Sequence, residues 1–237
     1  MSEQKQKIRE SVWKTLVQNK ALAFPFKAYG AIPNFKGSNE AARLVCLSKE
    51  FLNASVVKVN PDSPQTEVRK RCLLQGKKLV MPTPRLKQGF VLIDPSKLDS
   101  NKIAKACTIA GALKYGKIVH PEELPQIELI VVGSVAVSKD GARVGKGEGY
   151  AELEYAILRT YKKVTRETPI FSSVHELQLV EWIPVEPFDF TLDAFFTPKR
   201  RFDVTREKAR PEGVLWELLP QEKIRDIPLL KELYNKL

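Results

Sequence analysis

Histidine is nearly absent from this 237-residue chain: there are two, His120 and His175. A histidine-rich metal centre is therefore excluded, and a nucleophile-histidine-acid triad has few candidates for its base. Cysteine is scarce as well. Cys46, Cys72 and Cys107 lie far apart in apolar-periodic contexts, without the close pairing of a zinc or redox motif, and read as reduced core residues. No segment approaches the roughly 18 consecutive apolar residues of a membrane span. The start, "MSEQKQKIRESV", is polar and helical and lacks the apolar stretch of a secretory signal, so the expectation is a cytoplasmic protein with no membrane partner. Glycine-serine linkers, internal repeats and low-complexity stretches are missing too, and the length suits one α/β domain with a full core.

What is abundant is positive charge: 39 Lys and Arg against 28 Asp and Glu, a formal net charge of +11. Nucleotides, phosphorylated or polyglutamylated small molecules and RNA all fit that balance. So does a solvated surface, because the basic residues are spread along the chain with acids beside them.

Ile8, Val12, Leu16 and Val17 recur at helical spacing over residues 5–19 and leave Lys5 and Arg9 together on the other face. After "NFKG", Ser38 is the expected N-cap of a second helix. "ASVVKVNPD", the helix "QTEVRKRCLLQ" ended by Gly76, and "KLVMPTP" form a βαβ unit, and "FVLID" adds a short strand. Residues 101–115 read as one helix that buries Ile103, Ala106, Cys107, Ala110 and Leu113. "IELIVVGSVAV" reads as one central parallel strand, apolar on both faces. A helix at "AELEYAILRTYKKV" and short strands at "PIFSSVH", "LQLVEWIP" and "TLDAFFTP" complete an α/β pattern with a largely parallel sheet covered on both sides. Residues 199–237 read as a basic stretch, a strand at "GVLWELL" and a last amphipathic helix.

The chemistry concentrates in "GARVGKGEGYAELEYAIL". Gly145, Gly147 and Gly149 follow a central strand and precede a helix, which is where α/β sheets place ligands. Without β-carbons, backbone N–H groups can close on phosphate oxygens, with Arg143 and Lys146 adding charge. The spacing matches neither GxGxxG nor GxxxxGK[ST]. A structural corner therefore stands beside the phosphate cradle as an alternative. Glu152 and Glu154 suit either Mg²⁺ or the helix dipole, Tyr150 either stacks on a ring or closes the core, and Lys5 with Arg9 either binds an anion or faces solvent. His175, with Gln178 three residues on, reads as a packed residue rather than a catalyst.

Lys5 and Arg9 in a KxxxR arrangement, "LLQGKKLVMP", "IELIVVGSVAVSKDGARVGKGEGYAELE", "HELQLVEWIP" and "DFTLDAFFTP" together resemble the 5-formyltetrahydrofolate cyclo-ligase, or methenyltetrahydrofolate synthetase, family over residues 5 to about 198. "IPNFKGS", "VMPTPRL", "ETPI" and "IRDIPLLKEL" are similar to its methenyltetrahydrofolate synthetase domain-containing branch and extend the likeness over nearly the full chain.

The resemblance implies a three-layer αβα sandwich with a mostly parallel sheet, related to the ribose-isomerase and CoA-transferase superfamily. It implies a cyclo-ligase-like domain over residues 1–198 and a C-terminal extension over 199–237. The implied activity is ATP- and Mg²⁺-dependent closure of 5-formyltetrahydrofolate to 5,10-methenyltetrahydrofolate, releasing ADP and phosphate. Lys5, Arg9, Arg143, Lys146 and the backbone of Gly145, Gly147 and Gly149 would hold the ATP phosphates, with Lys146 and Arg143 catalytic. Tyr150 and Asp62 would meet the folate, and Glu152 would hold Mg²⁺.

Three motifs depart from the family pattern: "YYD" is "YAE" here, with Ala151 and Glu152; "gEVdT" is replaced by "NPDSPQTE"; and "GIxEP" has no counterpart in "YGKIVHPEELP". The alternative is a non-catalytic or altered-substrate member that binds nucleotide or RNA, using the basic cleft and "KRRFDVTREKAR". The arginines of that stretch alternate with Asp203 and Glu207, and no aromatic RNP-like strand pair accompanies them. A phosphosugar isomerase on the same superfamily fold would need residues the sequence does not supply.

Overall fold

A computed structural model describes residues 2–237. In chain order the first elements are α1 (Glu3–Gln18), α2 (Ser38–Cys46), α3 (Lys49–Asn53), β1 (Val56–Val59), α4 (Thr66–Leu74), β2 (Lys78–Pro82), β3 (Phe90–Ile93), α5 (Ile103–Ala106), α6 (Ile109–Tyr115) and β4 (Lys117–Val119). There follow β5 (Leu129–Val132), β6 (Ala136–Ser138), β7 (Arg143–Val144), α7 (Tyr150–Thr160), β8 (Ile170–Ser173), β9 (Leu179–Val180), β10 (Ala194–Phe196), β11 (Arg201–Asp203), α8 (Gln221–Asp226) and α9 (Pro228–Tyr234).

Strands that are apolar on both faces need cover on both faces, and alternate residues here enter two different cores. Ile130 and Val132 of β5 join Val56 of β1 and Phe195 of β10 on the side of α7 and α9. Leu129 and Val131 join Val57 and Val59 on the side of α2, α4 and α6. Each such buried valine or leucine contributes about 1.5–3 kcal/mol. The result is the expected αβα sandwich. Its eight-stranded sheet has the order β11-β10-β8-β5-β1-β2-β3-β4, parallel through the middle from β10 to β2 and antiparallel at both edges.

"IELIVVGSVAV" is two strands, not one. β5 ends at Val132, and β6 belongs to a separate three-stranded sheet, β7-β6-β9. Between them Gln178 Nε2 donates to the carbonyls of Ser134 and Val135 at 2.8 and 3.1 Å, satisfying groups that a continuing strand would pair. α1 lies on this small sheet through Val12, Trp13 and Leu16 against Val135, Ala136 and Val144.

Other boundaries shift for local reasons. Gly37, at φ 88°, is the N-cap of α2, and Ser38 is its first helical residue. The helix expected over residues 101–115 breaks at Cys107 and Thr108, where the Thr108 hydroxyl caps a new helix by accepting from Gly111 N at 3.0 Å. The break turns the face, burying Gly111 and Ala112 and leaving Ala110 and Leu113 exposed. "GVLWELL" is not a strand but a 3-10 turn at Trp216–Leu218. Pro228, which lacks an N–H, divides the last helix into α8 and α9. Residues 199–237 are integral to the packing: β11 extends the sheet edge, and Leu229, Leu230 and Leu233 enter the α7-side core.

Candidate active site

The parallel strands β1, β2 and β5 end at one rim. The residues that follow them, from Asn60 to Asp62, from Thr83 to Arg85, and Gly133, line a cleft of about 660 Å³, within the range of small-molecule sites. The turn from Gly145 to Gly149 closes another side. Gly147 and Gly149 take φ of 107° and 72°, values that residues with a β-carbon avoid. At Gly145 the reason is space, since a β-carbon there would stand 2.7 Å from an Arg143 guanidinium nitrogen.

Arg143 lies beneath the turn. One terminal nitrogen donates to Glu152 Oε1 at 2.5 Å, the other to the Gly133 carbonyl at 3.1 Å, and the guanidinium lies 5.0 Å from the centre of the Phe190 ring. Its Nε is buried and has no hydrogen-bond partner among the described residues. Leaving such a donor unpaired costs about 1–3 kcal/mol.

Lys5 and Arg9 are only 5 % and 4 % exposed, so the solvated-face reading of this pair fails. Arg9 Nε donates to the Gly145 carbonyl at 2.7 Å. Burial pulls the Arg9 guanidinium below its usual pKa, Glu152 opposes that, and Arg143 adds to it. Lys5 donates to Asp189 at 2.5 Å and to Glu186 at 3.2 Å. Burial raises the Asp189 carboxyl, while the Glu186 N–H and Lys5 pull it back.

Lys146, at the mouth, pairs with Glu148 at 2.8 Å. The ring of Tyr150 carries the Lys223 ammonium 3.9 Å from its centre. Asp62 approaches Gly133 so closely that a β-carbon there would stand 2.5 Å from Oδ2. Burial raises the Asp62 carboxyl, against the pull of Lys146 first and then Arg69, Arg143 and Lys58. Every site residue singled out in the sequence thus borders this one cleft, the three glycines and Glu152 included.

Sequence reasoning singled out Glu154 but missed that it is buried on Lys58 and Asn60 beneath the cleft, which is neither of the roles considered for it. Lys58 Nζ, 1 % exposed, donates to Asn60 Oδ1 at 2.7 Å and pairs with the buried Glu154 carboxylate, which also accepts from Asn60 Nδ2 at 3.3 Å. Burial raises the Glu154 carboxyl and Lys58 opposes the rise. One signal was available: a single lysine inside the β-branched run "VVKV" needs a buried partner.

His175 stays outside the chemistry. Its Nδ1 accepts from Leu177 N at 3.2 Å, and its backbone N–H donates to Gln178 Oε1 at 2.7 Å. The basic stretch of the tail is engaged within the chain. Arg201 forks onto Glu50 at 2.8 and 2.9 Å, and Arg206 and Arg210 both hold Asp193.

No group of three or more His, Cys, Asp or Glu able to hold a metal occurs among the described residues. Mg²⁺ does not require one, because it commonly binds one or two carboxylates together with substrate phosphates and water. No helix among the described residues is long and apolar enough to cross a membrane.

The glycine turn does not follow a central parallel strand, as its sequence context suggested, but the short antiparallel edge strand β7 of the small sheet. Packed against the ends of the parallel strands and backed by a buried arginine and a buried lysine, it defines the chain as an αβα protein with a cation-lined cleft at its strand ends. The model of the 5-formyltetrahydrofolate cyclo-ligase family matches residues 1–198, and the chain belongs to that family.

It is 36 % identical over 236 residues to the methenyltetrahydrofolate synthase domain-containing protein of Danio rerio, covering 98 % of this chain and 62 % of that one. It is 38 % identical over 234 residues to the Homo sapiens protein of the same name, covering 97 % and 61 %. The chain therefore spans about three fifths of the length of these curated relatives. An NMR structure of Aquifex aeolicus 5,10-methenyltetrahydrofolate synthetase superposes with a TM-score of 0.54 at 18 % identity, covering 91 % of this chain and 99 % of that one, and it shares the fold.

Proposed function

We propose that this protein is a cytoplasmic ATP- and Mg²⁺-dependent cyclo-ligase that converts 5-formyltetrahydrofolate to 5,10-methenyltetrahydrofolate with release of ADP and phosphate. The observation that carries this reading is the buried Arg143, directly under the glycine turn, with its Nε unpaired and Lys5 and Arg9 beside it. The formyl oxygen attacks the γ-phosphorus, and the bond to the β,γ-bridging oxygen breaks with its electron pair leaving on ADP. N10 then attacks the formyl carbon and loses its proton, and the carbon–oxygen bond breaks to release phosphate. The protein's work is positioning and charge neutralisation, as in other phosphoryl transfers.

Arg143, Lys146 and the N–H groups of Gly145, Gly147 and Gly149 hold the phosphates in this reading, while Arg9 fixes the turn through its bond to Gly145. Glu152 would share Mg²⁺ with the phosphates, which requires its carboxylate to turn partly away from Arg143. When bound, the ion neutralises phosphate oxygens. Asp62 and Tyr150 border the folate half.

Incubation with ATP, Mg²⁺ and 5-formyltetrahydrofolate, followed by methenyl absorbance, tests the reading. Absence of product from folded protein at high concentration refutes cyclisation. Lys146→Ala should raise the KM for ATP by about 3- to 10-fold, the scale of one partly exposed charged contact.

A second reading, a family member with an altered substrate, draws on the lysine that covers Tyr150 and on "YAE" in place of "YYD". ATP binding without methenyl formation would favour it.

A further inference from the structure

Between α1 and α2 the chain exposes side chains that a folded surface ordinarily covers. Phe24, Phe26 and Tyr29 stand on one short loop and are 78 %, 66 % and 56 % exposed. The same stretch lacks acids: residues 11–39 contain neither Asp nor Glu, and they carry Lys14, Lys20, Lys27 and Lys36, all exposed. Lys7, earlier in α1, pairs with Glu3 at 2.6 Å, but among the described residues none of these four has a carboxylate within 4 Å. Lys20 and Lys36 flank a shallow groove formed with Val17, Leu22 and Phe26, which brings cations and an aromatic ring onto one face. None of these residues lines the active-site cleft.

The loop is held in shape from within. Leu22 and Phe35 form an antiparallel bridge, Ala23 N donates to the Asn34 carbonyl at 3.0 Å, and Lys36 N donates to the Ala21 carbonyl at 2.8 Å. Phe35 is fully buried, and the Tyr29 ring packs 5.8 Å from that of Trp13. At the tip the Phe24 carbonyl accepts from Asn34 Nδ2 at 2.6 Å, Pro25 has no N–H, and Phe26 N donates to the Ala23 carbonyl at 2.7 Å. The Phe24 and Phe26 rings meet edge to face, 6.2 Å apart. The two most exposed rings thus stand on backbone whose Phe24 carbonyl and Phe26 N–H are already paired. Paired backbone is what an apolar medium demands, and it leaves little there for a nucleic acid or a peptide to read by hydrogen bonding.

We propose that this loop docks the protein on an anionic phospholipid bilayer, with Phe24 and Phe26 entering the headgroup region and Lys20, Lys27 and Lys36 against lipid phosphates and carboxylates. A rigid partner would need a pocket cut to the edge-to-face pair, whereas a fluid interface accepts protruding rings as they stand. Each lysine near such a surface strengthens partitioning by about 5-fold, and the absence of acids leaves that attraction unopposed within the loop. The loop lies on the bilayer without crossing it. This contact is independent of the cyclo-ligase reading, because it uses another face of the molecule.

The test is flotation of the full chain with vesicles of phosphatidylcholine alone and of phosphatidylcholine mixed with phosphatidylserine. Wild type should partition at least about 10-fold more strongly onto the mixed vesicles, and added salt should weaken that binding. Phe24→Ser combined with Phe26→Ser should lower it about 10- to 100-fold. The Tm of that variant should hold, since both rings are exposed. Lys20→Gln, Lys27→Gln and Lys36→Gln should each cost about 5-fold, and Lys97→Gln, outside the loop, less than about 2-fold. Undiminished binding of the serine pair would reveal only the general attraction of a chain of net charge +11 and overturns the site, as does failure of wild type to bind the mixed vesicles. A uridine oligonucleotide that wild type binds in preference to vesicles, and that the serine pair releases, assigns the loop to RNA and overturns the proposal as well.

Discussion

Arg9 Nε donates to the carbonyl oxygen of Gly145 at 2.7 Å across 136 residues of sequence, joining the first helix to the glycine turn. Because Arg9 is buried, no water takes the place of that bond when it is lost. The helix therefore acts on the turn from behind, fixing a peptide of the segment that lines the cleft.

Arg9→Met keeps the apolar stem of the side chain and removes the donor. A buried hydrogen bond from a charged group is worth about 1.5–3 kcal/mol, so ATP affinity should fall roughly 10- to 100-fold if the turn holds the phosphates. Titration calorimetry with a non-hydrolysable ATP analogue measures this. Unchanged affinity in folded Arg9→Met would separate the turn from nucleotide binding.

Glu152 stands between two roles, since its Oε1 holds Arg143 at 2.5 Å and it is the proposed carboxylate for Mg²⁺. Glu152→Gln keeps the shape and removes the charge. Without Mg²⁺, the loss of a negative charge beside the phosphate site should tighten ATP binding about 3- to 10-fold. With Mg²⁺, the loss of a carboxylate ligand should instead weaken ATP binding and lower turnover of the proposed ligase reaction by about 100-fold. Parallel binding assays in chelator and in Mg²⁺ give opposite signs if both roles are real; the same sign in both means that Glu152 serves Arg143 alone.

Much of this cleft was legible because its parts are local. The Lys5–Arg9 spacing, the three glycines and the helix that follows them can be recognised without knowing what packs where. The junction at Gly133 was not legible, because an apolar run continues across it; the carbonyls there are diverted by Gln178, 44 residues away in sequence from Ser134. Nor was the place of Lys223, whose contact with Tyr150 depends on the tail folding back over the α7-side core. Thr108 and Pro228 show the converse, since both carried an ordinary local break signal inside an otherwise helical pattern.

Lys58 and Glu154 form a buried ion pair under the cleft, with Asn60 completing the cluster. Removing one partner leaves an uncompensated charge in the interior, so Lys58→Met alone should destabilise the protein by about 3–5 kcal/mol. The double variant Lys58→Met with Glu154→Leu removes both charges and should recover most of that loss. Urea unfolding of the two single variants and the double variant measures the coupling. A double variant as unstable as the sum of the singles would mean that the pair contributes through packing rather than charge.

Asp62 gives the pH prediction. Burial lifts its carboxyl above the ordinary value of 3.8, with Lys146 the leading opposing influence. Well below the ordinary value of 3.8 the carboxyl is protonated in both the folded and unfolded chain and contributes nothing to their difference. As pH rises, the unfolded chain ionises first and the folded state lags, so this group withdraws stability through the window between the two pKa values. Above the folded value the withdrawn stability is constant. Asp62→Asn should therefore raise the Tm at pH 7, and the gain should shrink as pH falls towards 4. The same variant should weaken folate binding, because the acceptor beside Gly133 loses its charge. Thermal unfolding of both proteins from pH 4 to pH 8 measures the effect; a variant less stable at pH 7 than at pH 4, relative to wild type, would place Asp62 among the stabilising ion pairs instead of among groups held for binding at a cost in stability.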